Sequence, residues 1–276
     1  MASPVPDTWL AKHAYLERLA TFHSLVEAVA SEIPALDTSA TLPDWSRYLE
    51  EFRASVPLFH SPCFQLDLEA ATTSLAKFVA QLAQRPLPEG LLPEVRALSY
   101  EINATPSASS HALSALLAQG PIDSAHAGLL RFFGWKVLSH ALAPLIDVFA
   151  KWREEEGWLR SYCPACSALP SMGQLIGADP GQLRYLVCGC CASRWRFRRT
   201  GCPFCETVDD HRLSVLAVED GSHLRIDYCE SCLGYLKTYN GQGNERLMLS
   251  DWTSLHLDIL ALDRGLKRLA ASLYEV

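Results

Sequence analysis

Cysteine residues dominate the chemistry that this sequence could support. Nine of the ten cysteines lie between Cys163 and Cys232, and eight of them form four Cys-x-x-Cys pairs. Thiolates are soft ligands that bind zinc or iron, and two residues between cysteines let a tight turn direct both sulfur atoms at one ion. The eight candidate metal ligands are Cys163, Cys166, Cys188, Cys191, Cys202, Cys205, Cys229 and Cys232.

The four pairs belong to an internal repeat. LRYLVC (183–188) and LRIDYC (224–229) each place leucine five and arginine four residues before a cysteine, and a turn with Gly181 or Gly221 precedes them. Each segment follows a Cys-Pro-x-Cys pair by a similar interval. A hairpin that carries a second Cys-x-x-Cys turn next to the first completes a four-thiolate tetrahedron. We therefore predict two metal ions, each held by two pairs.

The sequence leaves open which pairs share an ion. The first pair can join the second while the third joins the fourth, or the pairs can alternate in a cross-braced arrangement. The spacing differs from the runs that ligate iron–sulfur clusters, so each site is predicted to be mononuclear. Zinc and iron both accept four thiolates in a tetrahedron, and the sequence does not choose between them.

Two cysteines stand outside the pairs. Cys190 lies between Cys188 and Cys191 and is predicted to be a packed or partly exposed thiol, with a redox-active or substitute ligand as the alternative. Cys63 is isolated in SPCFQ, where we predict a small buried apolar residue. Neither cysteine is therefore counted among the ligands.

The elements that position the cysteines follow from the periodicity. Apolar residues at three- and four-residue steps predict helices at about 7–33, 43–54, 66–84, 90–103, 108–119 and 122–155, the last kinked at Pro144. Short aromatic and β-branched runs between 157 and 243 predict strands, with an exposed Lys237 in an edge strand, YLKTY. From about Ser250 the helical period returns and predicts a closing helix.

Charge and motifs exclude several classes of function. The net charge is -7, so the chain lacks the basic excess of proteins that bind nucleic acid or anionic membranes. SRWRFRR (193–199) predicts a strand with arginines on one face and rings on the other. A nucleic-acid-binding zinc ribbon is kept as an alternative, although neighbouring acidic residues confine this basic character. Those acidic residues are Glu206, Asp209, Asp210, Glu219 and Asp220.

Enzyme motifs are absent from the sequence. It contains no phosphate loop, nucleophile elbow or dinucleotide-binding fingerprint, and His140 and Asp147 lack the spacing of a metal-dependent hydrolase. The start of the sequence has no secretory signal or twin arginine, which predicts a cytoplasmic protein. The longest apolar stretch, 132–152, carries charged side chains at helical spacing and predicts a core helix rather than a membrane span.

In this order, CPACSALP, LRYLVCGCC, RWRFRRTGCPFC and CESCLGYLKTY resemble the formate dehydrogenase accessory protein family, FdhE. The specific part of the resemblance covers about 163–239, and the helical half is similar in length and layout. One departure is visible, because the family typically has Gly-Ser after its first pair, where this chain has Ser167 and Ala168. That difference predicts altered backbone hydrogen bonds in the first turn.

The resemblance implies an α+β fold with tandem rubredoxin-like, zinc-ribbon-type modules. Its expected parts are a helical domain (1–156), two four-cysteine modules (157–200 and 201–243) and a C-terminal helical segment (244–276). It also implies a non-enzymatic, cytoplasmic assembly factor that binds the catalytic subunit of a molybdenum- or tungsten-containing formate dehydrogenase, with two iron or zinc ions. A rubredoxin-like electron carrier is the third alternative, and the sequence leaves the oligomeric state open.

Overall fold

The computed structural model describes residues 7–35, 44–64, 66–105, 107–178, 180–218 and 223–273. The chain folds as two compact units. The first unit consists of Met1–Pro43 and Phe64–Val148, and the second unit consists of Asp44–Cys63 and Phe149–Val276. The four predicted domain boundaries stay a prediction. The turn residue Gly221 and the acidic residues Glu219 and Asp220 lie outside the described residues.

The helices follow the predicted apolar periodicity closely. They are α1 (Asp7–Lys12), α2 (Glu17–Ala30), α3 (Trp45–Arg53), α4 (Glu69–Leu82), α5 (Leu91–Ala104), α6 (Ala108–Leu117), α7 (Ala127–Trp152), α8 (Glu245–Met248) and α9 (Leu255–Leu262). In the first unit, fully buried side chains recur at helical spacing and form an apolar core, for example Val26, Leu75, Val79, Leu98 and Leu113. This burial explains why the helical pattern could be recognised from the sequence.

The predicted single helix at 7–33 is wrong at one point. His13 has φ −127° and ψ 46°, outside the helical region, and a 3-10 turn (Ala14–Leu16) separates α1 from α2. The His13 ring lies 4.4 Å from the Trp9 ring and is hydrogen-bonded to the Tyr15 hydroxyl at 3.2 Å. These local contacts hold the break, which the apolar spacing alone does not reveal.

Helix α7 contains the longest apolar stretch. It begins at Ala127 rather than 122, and Pro144 lies within it, so the kink stays a prediction. Among the described helices, α7 is long and apolar enough to cross a membrane, but 61% of its most apolar 18-residue window is buried inside the protein. The burial supports the predicted core helix.

A carboxylate on α2 is held by two basic side chains of α7. Glu27 forms an ion pair with Lys136, and its Oε2 lies 3.5 Å from His140 Nε2. Burial alone would raise the pKa of Glu27, but the His140 hydrogen bond and the charge of Lys136 lower it from 4.5 to about 2. The charged form of Glu27 therefore stabilises the first unit.

We expect Glu27→Gln to destabilise the first unit by about 1–2 kcal/mol at pH 7, after allowance for partial exposure. Because the folded-state pKa is depressed, this contribution is complete above pH 4.5 and is lost as the pH falls towards 2. Amide hydrogen exchange of α2 at pH 7 and pH 3 measures the difference. Glu94→Gln, at the more exposed Glu94–His126 pair, is the control and should change stability by less than about 0.5 kcal/mol.

The second unit contains a six-stranded sheet. Its strands are β1 (Pro170–Ile176), β2 (Leu183–Cys188), β3 (Arg194–Phe197), β4 (Leu213–Ala217), β5 (Leu224–Cys229) and β6 (Tyr235–Asn240). Their order is β3-β2-β1-β6-β5-β4, so two three-stranded antiparallel meanders meet along one parallel pair, β1 with β6. The two predicted modules are thus halves of one continuous sheet.

A glycine permits the junction between the two meanders. Gly173 of β1 pairs with Thr238 of β6, and a Cβ atom at Gly173 would lie 2.8 Å from Thr238 Oγ1 and 2.9 Å from Leu236 Cδ2. Real Cβ atoms do not approach other atoms this closely, so a larger residue at Gly173 would force the side chains of Thr238 and Leu236 to move.

Lys237 was predicted to be exposed at a sheet edge, which is wrong. Strand β6 lies inside the sheet, and the Lys237 side chain is 1% exposed. Its Nζ atom lies 2.7 Å from both Asp251 Oδ1 and Asp258 Oδ2. Arg268 also pairs with both aspartates, at 2.7 and 2.8 Å. This buried network fastens the C-terminal segment to the sheet.

The predicted long closing helix is also wrong in its extent. After a 3-10 turn (Asp251–Ser254), α9 ends at Leu262, and Gly265 follows with φ 74°, a conformation that favours glycine and stops helices. The chain then pairs with the sheet, since Lys267 N donates to Leu233 O at 2.7 Å and Tyr235 N donates to Lys267 O at 3.2 Å. The C-terminal segment is therefore only partly helical.

The prediction for Cys63 needs correction. Its thiol is half-buried and donates a hydrogen bond to Glu51 Oε1 at 2.9 Å, instead of packing as a small apolar residue. This hydrogen bond to the carboxylate raises the pKa of Cys63 and lowers the pKa of Glu51. An isolated cysteine in the sequence does not reveal such a polar partner.

Candidate metal centres

The first two Cys-x-x-Cys pairs come together at one end of the β1–β2–β3 meander. Cys163 Sγ lies 3.5 Å from Cys191 Sγ, and Cys166 Sγ lies 3.5 Å from Cys188 Sγ. All four sulfur atoms lie within 4.8 Å of one another, and all four residues are buried. We call this group the first centre.

The third and fourth pairs form a second centre in the β4–β5–β6 meander. Cys202 Sγ lies 3.7 Å from Cys232 Sγ, and Cys205 Sγ lies 3.7 Å from Cys229 Sγ. The four sulfur atoms again lie within 4.8 Å of one another. The structure thus joins consecutive pairs, and the cross-braced alternative is not the arrangement found.

The sulfur positions fit a single four-coordinate ion. Four sulfur atoms at about 2.3 Å from a central ion form a tetrahedron with edges of about 3.8 Å. The closest sulfur–sulfur distances, 3.5 and 3.7 Å, agree with these edges and are too long for disulfide bonds. A cluster of several iron atoms would require the ligand sulfurs to lie farther apart. Each centre can therefore hold one zinc or iron ion, and the donor set does not distinguish the two.

The same backbone turn builds all four pairs. In each, the amide of the first cysteine donates to the carbonyl oxygen five residues later: Ala168 for Cys163, Ser193 for Cys188, Thr207 for Cys202 and Gly234 for Cys229, at 2.9–3.0 Å. Amide groups inside the turns also donate to sulfur, as from Ala165 to Cys163 Sγ at 3.4 Å. Such hydrogen bonds stabilise thiolate ligands, so the turns favour metal-bound sulfur.

A left-handed residue follows the second cysteine of every pair. These residues are Ser167, Ala192, Glu206 and Leu233, with φ between 59° and 62°. The presence of Ser167 in place of the family's glycine is predicted to alter the backbone hydrogen bonds of the first turn, and this prediction is wrong. Ser167 N still donates to Cys163 O at 3.0 Å, and Cys163 N donates to Ala168 O at 2.9 Å. The turn keeps its geometry, but the left-handed backbone is less favourable for Ser167 than it would be for glycine.

We expect Ala192→Gly to stabilise the second unit by about 0.5–1 kcal/mol, because glycine adopts a positive φ without steric strain. Ala192→Val should destabilise it by at least about 1 kcal/mol, since a β-branched residue is the least suited to this conformation. Thermal unfolding of the metal-loaded protein measures both changes. If the two variants had equal midpoints, strain at Ala192 would be refuted.

The segment 44–63 supports the first centre. Leu58 N donates to Pro164 O and Phe59 N to Ala165 O, both at 2.9 Å, so a 3-10 turn (Leu58–His60) is hydrogen-bonded to the first cysteine turn. Tyr162 Oη also donates to Ser55 O at 2.8 Å. Sequence reasoning assigned this segment to the helical domain, because its backbone contacts with the cysteine turn leave no periodic signal.

The two centres differ in their exposure. Every ligand of the first centre is buried, whereas in the second centre Cys205 is exposed and Cys232 is half-buried. Two apolar side chains near the second centre are also exposed, Val208 by 60% and Leu233 by 40%. An ion in the second centre is thus close to solvent.

Burial affects the protonation of the ligands. It raises the pKa values of the Cys163, Cys166 and Cys188 thiols, whereas hydrogen bonds from neighbouring thiols lower that of Cys191 despite its burial. A metal-free first centre would therefore retain protons, and ion binding must release them.

Cys190 and the arginine strand do not join either centre. Cys190 is half-buried, and its amide donates to Cys188 Sγ at 3.4 Å, which agrees with the predicted packed or partly exposed thiol. In β3, Trp195 and Phe197 are buried, and the guanidinium of Arg194 lies 4.1 Å from the centre of the Tyr185 ring. The predicted alternation of arginines and rings is confirmed, and Arg194 makes a cation–π contact with Tyr185 of the neighbouring strand.

Comparisons with known proteins point to one family. Residues 162–199, which contain the first centre, match the model of the FdhE central domain. An FdhE homologue of Stutzerimonas stutzeri is 28% identical over 98% of this chain and 90% of the relative. One from Aquifex aeolicus is 30% identical over 55% of this chain, and the alignment spans 53% of that relative.

A solved structure extends the similarity to the fold. The crystal structure of the FdhE protein from Pseudomonas aeruginosa has a TM-score of 0.62 and 25% identity, covering 94% of this chain and 88% of that one. These findings confirm the FdhE family resemblance. The mixed helical and sheet architecture is thus shared with an FdhE protein, and together with the two four-cysteine groups of this chain it confirms the predicted fold class.

Proposed function

We propose that this protein is a cytoplasmic, non-enzymatic assembly factor that binds the catalytic subunit of a molybdenum- or tungsten-containing formate dehydrogenase. The observation that carries the proposal is the presence of two preformed four-sulfur centres in a chain that resembles FdhE proteins over nearly its whole length. The eight paired cysteines are proposed as the ligands of two mononuclear iron or zinc ions.

The different exposure of the centres supports a division of roles. The first centre is buried and hydrogen-bonded to the segment 44–63, so its ion stabilises the fold. The second centre has an exposed ligand beside the exposed side chains Val208 and Leu233. Apolar side chains around an accessible site provide the contacts that a protein partner needs. We assign docking of the catalytic subunit to this surface.

Calorimetric titration with the purified catalytic subunit tests the docking. Val208→Asp should weaken binding about tenfold or more without changing the metal content, because a charge would be buried in the interface. Ile259→Asp is the matched control, since Ile259 is also exposed (52%) but lies on α9. Absence of binding by the wild-type protein, with unchanged formate dehydrogenase activity in cells lacking it, would refute the proposal.

The alternatives are less well supported by the structure. Nucleic acid would require free arginines on β3, but Arg194 and Arg196 both lie over the Tyr185 ring, at 4.1 and 5.9 Å. An electron carrier needs neither a large helical unit nor two centres. Reversible one-electron chemistry at a defined potential would favour the carrier over the assembly factor.

A further inference from the structure

A cavity lies on the sheet beside the second centre. Its volume is about 180 Å³, and its wall includes Cys202 and Cys229 of that centre. Arginines from both meanders and the loop between them also line it: Arg184, Arg199 and Arg225. Neither the metal sites nor the proposed docking surface accounts for these three cationic side chains.

Two of these arginines are the repeated Leu-Arg residues of the sequence. Arg184 from β2 and Arg225 from β5 converge on Asp227, with Arg225 Nε 2.8 Å from Asp227 Oδ1 and Arg184 Nη2 3.8 Å from Asp227 Oδ2. Thr238 Oγ1 also donates to Asp227 Oδ2 at 2.9 Å. The internal repeat therefore brings one arginine of each half to the same carboxylate.

Asp227 does not satisfy the buried Arg184. Only 5% of Arg184 is exposed, and Nη1 donates to Gly201 O at 2.9 Å. The Arg184 Nε atom makes no hydrogen bond within the described part of the chain. The distance between Arg184 Nη2 and Asp227 Oδ2, 3.8 Å, is too long for a hydrogen bond. A buried guanidinium with free donors is costly unless an oxygen acceptor reaches it.

Arginines outnumber carboxylates on the cavity wall. The three arginines face two acidic residues, Asp227 and the exposed Asp210, and the thiolates of Cys202 and Cys229 add negative charge on the side of the second centre. Arg199 is exposed and forms no ion pair with any described residue. A monoanion held by the arginines is therefore repelled less by the thiolates and the two carboxylates than a dianion would be.

We propose that this cavity binds the carboxylate group of an organic ligand. Guanidinium groups match the two oxygens of a carboxylate, and the remaining wall is apolar enough to contact the attached hydrocarbon, through Phe204, Val215 and Leu236. Because Cys202 and Cys229 belong to both sites, an occupied cavity contacts the second centre directly. This inference is independent of the proposed accessory function.

A ¹⁵N NMR titration of the metal-loaded protein at constant ionic strength tests the inference. Acetate is expected to shift the arginine Nε–H signals saturably, propionate to bind more tightly than acetate, and phosphate to bind more weakly. A short peptide with a free C-terminal carboxylate, compared with its C-terminal amide, shows whether a protein terminus can supply the group. No saturable shift, or phosphate binding as tight as acetate, would overturn the proposal.

Two arginine variants make the test specific. Arg199→Gln should weaken acetate binding about tenfold, the loss expected for one charge-assisted hydrogen bond, and its exposed position leaves folding intact. Arg212→Gln, another exposed arginine that does not line the cavity, should bind acetate like the wild type. Equal affinities of the two variants would show that general surface charge, and not the cavity, attracts the anion.

Discussion

Replacing Cys163 and Cys166 together by serine is expected to remove one equivalent of metal and to unfold the second unit. Structural binding by four thiolates contributes on the order of 10 kcal/mol to folding, which is comparable to the whole stability of a domain. The first centre is the more sensitive of the two because its four sulfur atoms are buried and the turn at 58–60 is bonded to it. The helical first unit should remain folded.

Metal analysis and calorimetry of the same samples check this expectation. The wild-type protein should show two thermal transitions, of which a strong chelator abolishes the one that belongs to the second unit. Cys190→Ser is the control, because Cys190 lies outside both centres, and it should retain two equivalents of metal and both transitions. A double variant that kept both transitions would show that the first centre does not hold the fold.

Lys237→Met is expected to destabilise the second unit by about 3–5 kcal/mol. Lys237 is 1% exposed and lies between Asp251 and Asp258, so its removal leaves buried negative charge with Arg268 as the remaining cation. Burial alone would raise the pKa of Asp251, and the charges of Lys237 and Arg268 lower it. The variant should therefore also raise the pKa of Asp251.

Denaturant unfolding of metal-loaded samples measures the loss. Lys267→Met is the matched control, because Lys267 is exposed and interacts with the sheet through its backbone, and it should change stability by less than about 0.5 kcal/mol. Adding Asp258→Asn to Lys237→Met should recover part of the stability, since it removes the excess negative charge that Arg268 alone does not balance. Equal stability of the two lysine variants would contradict the assigned role of the network.

The candidate metal centres were the most predictable part of the molecule. Each Cys-x-x-Cys pair is a local turn, so its spacing and the internal repeat predict a four-sulfur group from a short segment of chain. The helices were predictable for the same reason, because their apolar faces recur within a few residues. The left-handed residue after each pair has no signal in the sequence, because none of the four residues is of a type that favours a positive φ.

Contacts between distant segments account for what the sequence did not reveal. The parallel pairing of β1 with β6 depends on the close approach at Gly173, and a single glycine in a strand has several possible causes. The buried state of Lys237 depends on two aspartates and one arginine from a later segment. The convergence of Arg184 and Arg225 likewise requires the sheet order, which the repeat alone does not determine.

The most direct test of the account is X-ray absorption combined with metal analysis on protein purified without oxygen. Two mononuclear four-sulfur centres predict two equivalents of zinc or iron per chain, with four sulfur neighbours at about 2.3 Å around each ion and no metal–metal distance. One equivalent or less, oxygen or nitrogen among the ligands, or scattering from a second metal nearby would contradict it.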